Sequence, residues 1–170
     1  METTPWEVNS KFVSDGYIAG FLDGDGSIGA HIEQRPDRRR FPFRVRLKVA
    51  FTQHSRHKNL MFLLQKTLGD IGNIREVRTH NLTELIILKR SDLKKVLERL
   101  IPHLILKQRQ ARIALAMIEV YEKAKVNERS SLSDKDHEQL FAMAKEIRNL
   151  NAGAGMKKSY EIINPLTTQV

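Results

Sequence analysis

The chain of 170 residues carries 29 lysines and arginines against 20 aspartates and glutamates, a formal net charge of +9 at pH 7. This surplus favours a polyanionic partner, although ribosomal and membrane-surface proteins share it. The chain has no cysteine, which excludes disulfides, thiolate zinc sites and cysteine nucleophiles, so any metal is expected to be bound through oxygen.

The hydrophobic content of 41% is enough for one ordinary core. We therefore expect a single domain over residues 13–150, preceded by a flexible lead at 1–12 and followed by a mobile tail at 151–170. The sequence contains no run of about 18 apolar residues. Its first residues also lack the basic stretch followed by an apolar stretch that is typical of a secretory signal. These features predict an intracellular protein without a membrane span or secretory signal.

The first predicted element is a helix of under three turns within the stretch from Gly16 to Ser27, with Ser14 as its N-cap. At 100° per residue the small or acidic side chains fall on one side, and the bulky side chains fall on the other. We expect the bulky side to enter the core and the bare side to touch a second helix, because glycine inside a helix costs about 1 kcal/mol unless close approach requires it. The predicted contact residues are Gly16, Ala19, Gly20 and Asp23.

Two acids, Asp23 and Asp25, stand at the foot of this helix. If the partner helix belongs to a second copy of the chain, carboxylates from two chains meet near the two-fold axis. Like charges placed close together favour a divalent cation, and hard oxygen ligands suit Mg²⁺. The sequence therefore predicts a metal site that dimerisation creates.

The stretch Ile18-Ala19-Gly20-Phe21-Leu22-Asp23-Gly24-Asp25-Gly26 resembles the LAGLIDADG motif of homing endonucleases. The motif occurs once, so the chain is similar to the single-motif class, whose members act as homodimers. A calcium-binding loop is the alternative interpretation, but Ile28 and Gln34 stand where that loop needs glycine and glutamate. A purely structural helix and turn is a second alternative.

Two strands are expected next, at Ser27–Arg35 and Phe43–Phe51, because both alternate apolar and polar residues. A charged loop at 34–42, which includes Arg38, Arg39 and Arg40, joins them. The strands form a ribbon of the size that the DNA major groove admits, although exposed basic residues on a strand also deter edge aggregation. The predicted DNA-facing side chains are His31, Glu33, Arg35, Arg44, Arg46 and Lys48.

A helix through Leu60 and Leu68 is expected to stop at Gly69, and a second hairpin is expected over 71–78 and 82–89. Ile74 and Val77 break strict alternation in this hairpin, which suggests a bulge, and its outward contacts are Arg75 and Arg78.

Three helices are expected to complete the chain. The first is capped by Ser91 and ends at Pro102, the second covers 108–124, and the third runs from the N-cap Ser133 to Leu150. A short extended link over 103–106 precedes the second. The order predicts an α+β fold, an antiparallel four-stranded sheet with helices on one face.

The resemblance also implies site residues. Asp25 matches the metal-binding acid of the motif and Gly24 its neighbouring carbonyl ligand, whereas Asp23 matches an acid that is chiefly structural. Gln53 matches a residue that orders the attacking water, and Lys107 a basic residue near the scissile phosphate. The alternative for Gln53 is an ordinary polar residue at the end of a strand. The alternative for Lys107 is a phosphate anchor without catalytic effect. A second basic group falls at Arg56 or His57, and Arg109 is a further predicted DNA contact.

The activity that the resemblance implies is Mg²⁺-dependent hydrolysis of a long, near-palindromic double-stranded DNA target by a homodimer. Cleavage would cross the minor groove and leave short 3′ overhangs, with two or three divalent ions shared across the dimer. The alternatives are a non-cleaving protein on the same scaffold, either an intron RNA maturase or a transcriptional regulator, and a generic basic protein such as a ribosomal one.

Overall fold

The structure is a computed structural model and describes residues 13–37, 41–126 and 132–152. The predicted lead, the arginine run at 38–40 and the tail from 153 onward lie outside the described residues. The helices and strands, in chain order, are α1 (Asp15–Asp25), β1 (Gly26–Gln34), β2 (Phe43–His54), α2 (Lys58–Thr67), β3 (Asn73–Val77), β4 (Leu82–Ile87), α3 (Arg90–Leu100), α4 (Gln108–Val126) and α5 (Asp134–Asn151).

The strands form one antiparallel sheet in the order β1-β2-β4-β3. Apolar residues of the predicted alternation line the inner face of this sheet, where Ile28 is paired with Val49 and Ile32 with Val45. These side chains share one buried cluster with apolar residues of the helices. The predicted α+β fold with a four-stranded antiparallel sheet is confirmed.

Helix α1 begins as predicted, because the Ser14 hydroxyl accepts a hydrogen bond from the Tyr17 N–H at 3.2 Å. It runs for 11 residues to Asp25, slightly longer than expected. Strand β1 starts at the next residue, Gly26, whose backbone is already extended. The helix and the strand are therefore joined without a linker.

The predicted division of α1 into two faces is wrong at three positions. Ala19 and Asp23, expected on the bare side, are buried with Ile18 and Leu22, whereas Tyr17 is 47% exposed. Ala19 and Asp23 are buried within the subunit itself and so are not free to form the predicted contact with a second chain. The side open to solvent instead carries Gly16, Tyr17, Gly20 and Gly24.

The second hairpin is regular, contrary to the expected bulge. Its register runs without interruption from the pair Asn73 and Ile86 to the pair Val77 and Leu82. Alternation fails in the sequence because Ile74 lies on the inner face while Val77, at the strand end, lies on the outer face. Arg78 lies in the 3₁₀ turn after β3 and not in the strand.

Two helix starts can be compared with their predicted caps. Helix α3 begins at Arg90, before the expected cap Ser91, and its N-cap Lys89 makes no side-chain capping bond. Helix α5 begins as predicted, since Ser133 and Asp136 form a reciprocal capping box. The 3₁₀ turn Ile101–His103 covers the predicted helix end at Pro102 and the first residue of the extended link expected over 103–106.

Arg99 at the end of α3 ties three helices together. Its guanidinium donates to the Asp15 carboxylate in the first turn of α1 at 2.8 Å and to the Thr67 carbonyl at the end of α2 at 2.9 Å. The hydrogen bond from Arg99 is the main cause that lowers the pKa of Asp15. Within the described ranges, none of the helices has the length and apolar character of a membrane span.

Candidate active site and nucleic-acid face

Two predicted site segments lie at one end of the sheet. Asp25 ends α1, and the next residue, Gly26, is paired across the sheet with Phe51. Gln53 follows two residues later on the same strand and is paired with Thr83 of β4. The topology thus places the end of α1 beside the end of β2.

The Asp23 carboxylate is the anchor of this region. It accepts hydrogen bonds from three consecutive backbone N–H groups, those of Ile105 at 2.7 Å, Leu106 at 3.1 Å and Lys107 at 2.9 Å. Hydrogen bonds from backbone N–H groups to a carboxylate are charge-assisted and stronger than those between neutral groups. Asp23 therefore fixes the loop before α4 onto the foot of α1, over a sequence separation that no local pattern reveals.

Lys107 is brought to the foot of α1 by this anchor. Its ammonium group donates to the backbone carbonyl of Asp23, and its side chain is partly buried. Burial lowers the pKa of Lys107, while the charges of Asp23 and Asp25 act in the opposite direction. The structure therefore brings together Lys107 and the motif acids, as the sequence predicted.

Asp25 differs from Asp23 in its exposure and in the hydrogen bonds that its carboxylate accepts. It is exposed, as is Gly24, and a side chain added at Gly24 would meet nothing within 4 Å. Because the oxygens of Asp23 are already occupied by N–H groups, Asp25 is the motif acid that is free to act as a ligand. Among the described residues, no group of three histidine, aspartate or glutamate side chains is placed to hold a metal. The described part of the chain thus places one exposed motif acid, Asp25, at this end of the sheet.

Gln53 and the turn after it form a compact polar group. The Gln53 side-chain oxygen accepts a hydrogen bond from the His54 N–H at 2.9 Å, and the Arg56 guanidinium donates to His57 Nε2 at 3.0 Å. The two candidates for the second basic group are therefore hydrogen-bonded to each other, with Arg56 as the donor and His57 as the acceptor.

The outer face of the sheet carries the predicted DNA contacts of β1, β2 and β3. Arg46 Nε lies 3.1 Å from Glu33 Oε1, and Arg75 Nε lies 2.7 Å from Glu84 Oε2. Within the part of the chain that the structure describes, Arg44 and Lys48 have no ion-pair partner and are free to meet an anion. Glu84 was missed from the sequence, because its strand partner is known only once the register is known.

Three further predicted contacts have different surroundings. Burial, reinforced by the charge of Lys48, lowers the pKa of His31, so this imidazole is neutral at pH 7. The Arg35 guanidinium pairs with Asp37 at 3.0 Å. Arg109 lies on α4 and pairs with Glu146 of α5 at 2.6 Å, which places it among the helices and not on the sheet face.

Comparison with known proteins decides the family. The model of the LAGLIDADG endonuclease family matches residues 18–114, more than half of the chain. The DNA endonuclease I-CvuI of Chlorella vulgaris is 32% identical over 118 residues, which cover 69% of this chain and 70% of that protein. The chain belongs to the LAGLIDADG endonuclease family.

Other LAGLIDADG proteins agree with this assignment. The DNA endonuclease I-CreI of Chlamydomonas reinhardtii is 34% identical over 110 residues, 64% of this chain and 64% of that protein. Among solved structures, I-CvuI in complex with the I-CreI target superposes with a TM-score of 0.60 at 26% identity, covering 84% of this chain and 95% of that one. The archaeal intron-encoded homing endonuclease I-Vdi141I, complexed with DNA, has the same fold, with a TM-score of 0.69 at 22% identity and 86% of each chain covered.

Proposed function

We propose that this LAGLIDADG protein is a site-specific homing endonuclease that makes a staggered double-strand break in a long, near-palindromic DNA target as a Mg²⁺-dependent homodimer. One observation carries the proposal: the exposed acid Asp25 and the anchored Lys107 lie at one end of a sheet whose outer face carries cations without an ion-pair partner among the described residues. The working unit is residues 13–150, and the protein acts inside the cell at its DNA.

The site residues divide the work of phosphodiester hydrolysis. Asp25 and the Gly24 carbonyl bind the divalent ions, of which two or three are shared across the dimer. Bound Mg²⁺ supplies charge neutralisation at the scissile phosphate and at the leaving oxygen. Gln53 orders the attacking water, and Lys107, assisted by Arg56, offers positive charge to the phosphate.

The open side of α1 supports pairing with a second copy. Gly16 and Gly20 present bare backbone, and a Cβ added to either would meet nothing within 4 Å of the subunit. The loop anchored by Asp23 adds Ile105 and Leu106, which are 85% and 73% exposed. Large apolar side chains so exposed beside a bare helix favour a protein partner. A second copy on this surface would bring a second Asp25 to the site.

Two solved structures of I-CvuI support the choice of ion and substrate. One contains that enzyme with the I-CreI target and 2 mM Mg, with the DNA not cleaved, and the other contains it with its own target and 2 mM Ca. A further relative is named a probable intron-encoded endonuclease, from Neurospora crassa. Because that relative is named as intron-encoded, we include intron RNA as an additional proposed partner of this chain.

The competing function is nucleic-acid binding without cleavage, as in a maturase or a transcriptional regulator. Binding alone requires the basic sheet face but no free acid beside a partly buried lysine. An intron-splicing assay at low salt tests for the RNA role independently of DNA cleavage.

Asp25→Asn tests the proposal. We expect the variant to keep its affinity for target duplex and to lose at least about 10²-fold in the rate of plasmid linearisation with Mg²⁺, because a neutral amide is a poor ligand for the ion. Glu119→Gln, an exposed change on α4, is the matched control and should cut like the wild type. Full cutting by Asp25→Asn would refute the assigned metal ligand.

A further inference from the structure

Among the residues that the structure describes, the far half of the β1–β2 ribbon has no sheet neighbour beyond β2. Strand β2 pairs with β1 as far as Phe43, but its pairing with β4 begins only at Val49. The segment 43–48 of β2 therefore has a free edge, and backbone groups on such an edge require other partners.

Tyr121 of α4 provides one of these partners. Its hydroxyl donates a hydrogen bond to the Val45 carbonyl at 3.0 Å, across 76 positions of sequence. The Arg90 guanidinium lies 4.2 Å from the centre of the Tyr121 ring, which holds the ring in place. Burial raises the pKa of Tyr121, so the hydroxyl keeps the proton that it donates.

Helix α5 supports the end of the same ribbon with aromatic side chains. The ring of Phe41 stacks on His137 with centroids 4.3 Å apart, and the ring of Phe43 packs on Phe141 at 5.1 Å. Side chains from two helices thus support this end of the ribbon, and Tyr121 does so through a hydrogen bond to its backbone.

The position of Val45 determines which bases this support would affect. Val45 lies between Arg44 and Arg46, whose side chains are on the outer face. Its partner Ile32 is six residues along β1 from Gly26, which is roughly 20 Å at about 3.3 Å per residue. At about 3.4 Å per base pair this corresponds to roughly six base pairs from the residue next to Asp25.

We propose that Tyr121 is a positioning residue for sequence recognition. By holding the Val45 carbonyl, it sets where Arg44 and Arg46 meet the bases in the outer part of each half-site, and it acts from the helical side of the sheet. This inference rests on the proposed function, since it concerns the DNA target of the same protein.

The first test compares Tyr121→Phe, which removes only the hydroxyl, with Glu122→Gln, a change on the same helix that removes the exposed ion pair with Lys94 of α3. Each protein would be given a randomised duplex library with Mg²⁺, and then a panel in which every base of the selected target is substituted singly. In Tyr121→Phe we expect discrimination to fall about three- to tenfold at outer positions and to stay unchanged at central ones. Glu122→Gln should keep the wild-type profile. An unchanged profile in Tyr121→Phe, or a loss equal at all positions, would overturn the proposal.

The second test needs no DNA. Hydrogen exchange on the free proteins should be faster for the amides of residues 43–48 in Tyr121→Phe, with exchange at 49–54 as in the wild type. Equal exchange over 43–48 would show that Tyr121 does not hold the ribbon. If the wild-type protein cuts no member of the library, the proposed function is wrong and the recognition role is wrong with it. The exchange experiment separately decides whether the Tyr121 hydroxyl holds the Val45 carbonyl in place.

Discussion

Two acids separated by one glycine have opposite environments in this protein. Asp23 faces inward and satisfies three backbone N–H groups, while Asp25 is exposed at the end of the helix. Since the residues differ by 200° around the helix, a shift of two positions is enough to reverse their surroundings. The division between a structural acid and a free acid follows from this geometry.

Asp23→Ala should destabilise the fold by about 2–4 kcal/mol, because it leaves three N–H groups without their charged acceptor. Urea unfolding measures the loss, and Asp23→Asn, which keeps one acceptor oxygen, should fall in between. Asp25→Ala is the matched control and should change the free energy of unfolding by no more than about 0.5 kcal/mol. Equal stabilities of the two alanine variants would contradict the assigned role of Asp23.

Strands were easier to predict than helix α1, for a physical reason. Alternation in β2 assigns each residue to one of two faces, and Val45, Leu47 and Val49 are buried as expected. In α1 the side-chain size was taken to mark the core, but Asp23 is buried by a loop more than 80 positions away. Such long-range partners carry no local signal, and the same limit hid Tyr121, whose bond to Val45 spans 76 positions. Glu84 was hidden because its strand register was unknown.

The open side of α1 can be tested with Gly20→Leu. The new side chain has open space within the subunit and a better helix propensity, by roughly 0.8 kcal/mol, so the subunit should fold. We expect the bulk to prevent close approach of a second α1, giving monomers in sedimentation experiments and a loss of cleavage. Glu98→Leu, on the exposed side of α3, should leave the assembly unchanged. A Gly20→Leu protein that dimerises and cuts would show that the contact lies elsewhere.

The link between α1 and α3 predicts a pH dependence of stability. The pKa of Asp15 is lower in the folded state than its usual value of 3.8, so its stabilisation is present above that pH and is lost as the pH falls through the folded pKa. At pH 7, Asp15→Asn should cost about 0.5–1 kcal/mol after solvent screening, and the difference from the wild type should vanish in acid. Urea unfolding over a series of pH values measures this trend. A double-mutant cycle with Arg99→Leu should show coupling that disappears over the same range, and coupling that persists in acid would contradict the assignment.

At the scale of the whole molecule, the positive charge is distributed in two ways. Some cations of the sheet face are balanced across the strands, as Arg46 is by Glu33, while Arg44 and Lys48 are not. Balanced pairs fix side-chain positions, and unbalanced cations attract phosphates over a longer range. The net charge of +9 per chain should therefore appear mainly as salt-sensitive affinity for DNA.

Affinity for target duplex should fall about 10³- to 10⁵-fold between roughly 50 and 200 mM salt if the dimer contacts six to ten phosphates. Lys48→Gln should reduce the slope of log affinity against log salt by about 2, one for each subunit. Lys95→Gln, on the exposed side of α3, carries the same charge change and should leave the slope as it was. A flat salt dependence of the wild type would remove the electrostatic basis of the proposed interface.

The direct junction of Asp25 and β1 limits what substitutions on the strand can change in such a protein. Since no flexible residues intervene, the place of the break and the outward side chains of the strand are parts of one rigid piece. Replacing those side chains can redirect the protein to a new sequence, yet the phosphates that are broken keep the same offset from the bases that are read. Under the proposed function, variants with new outward side chains should therefore still leave ends of the same shape.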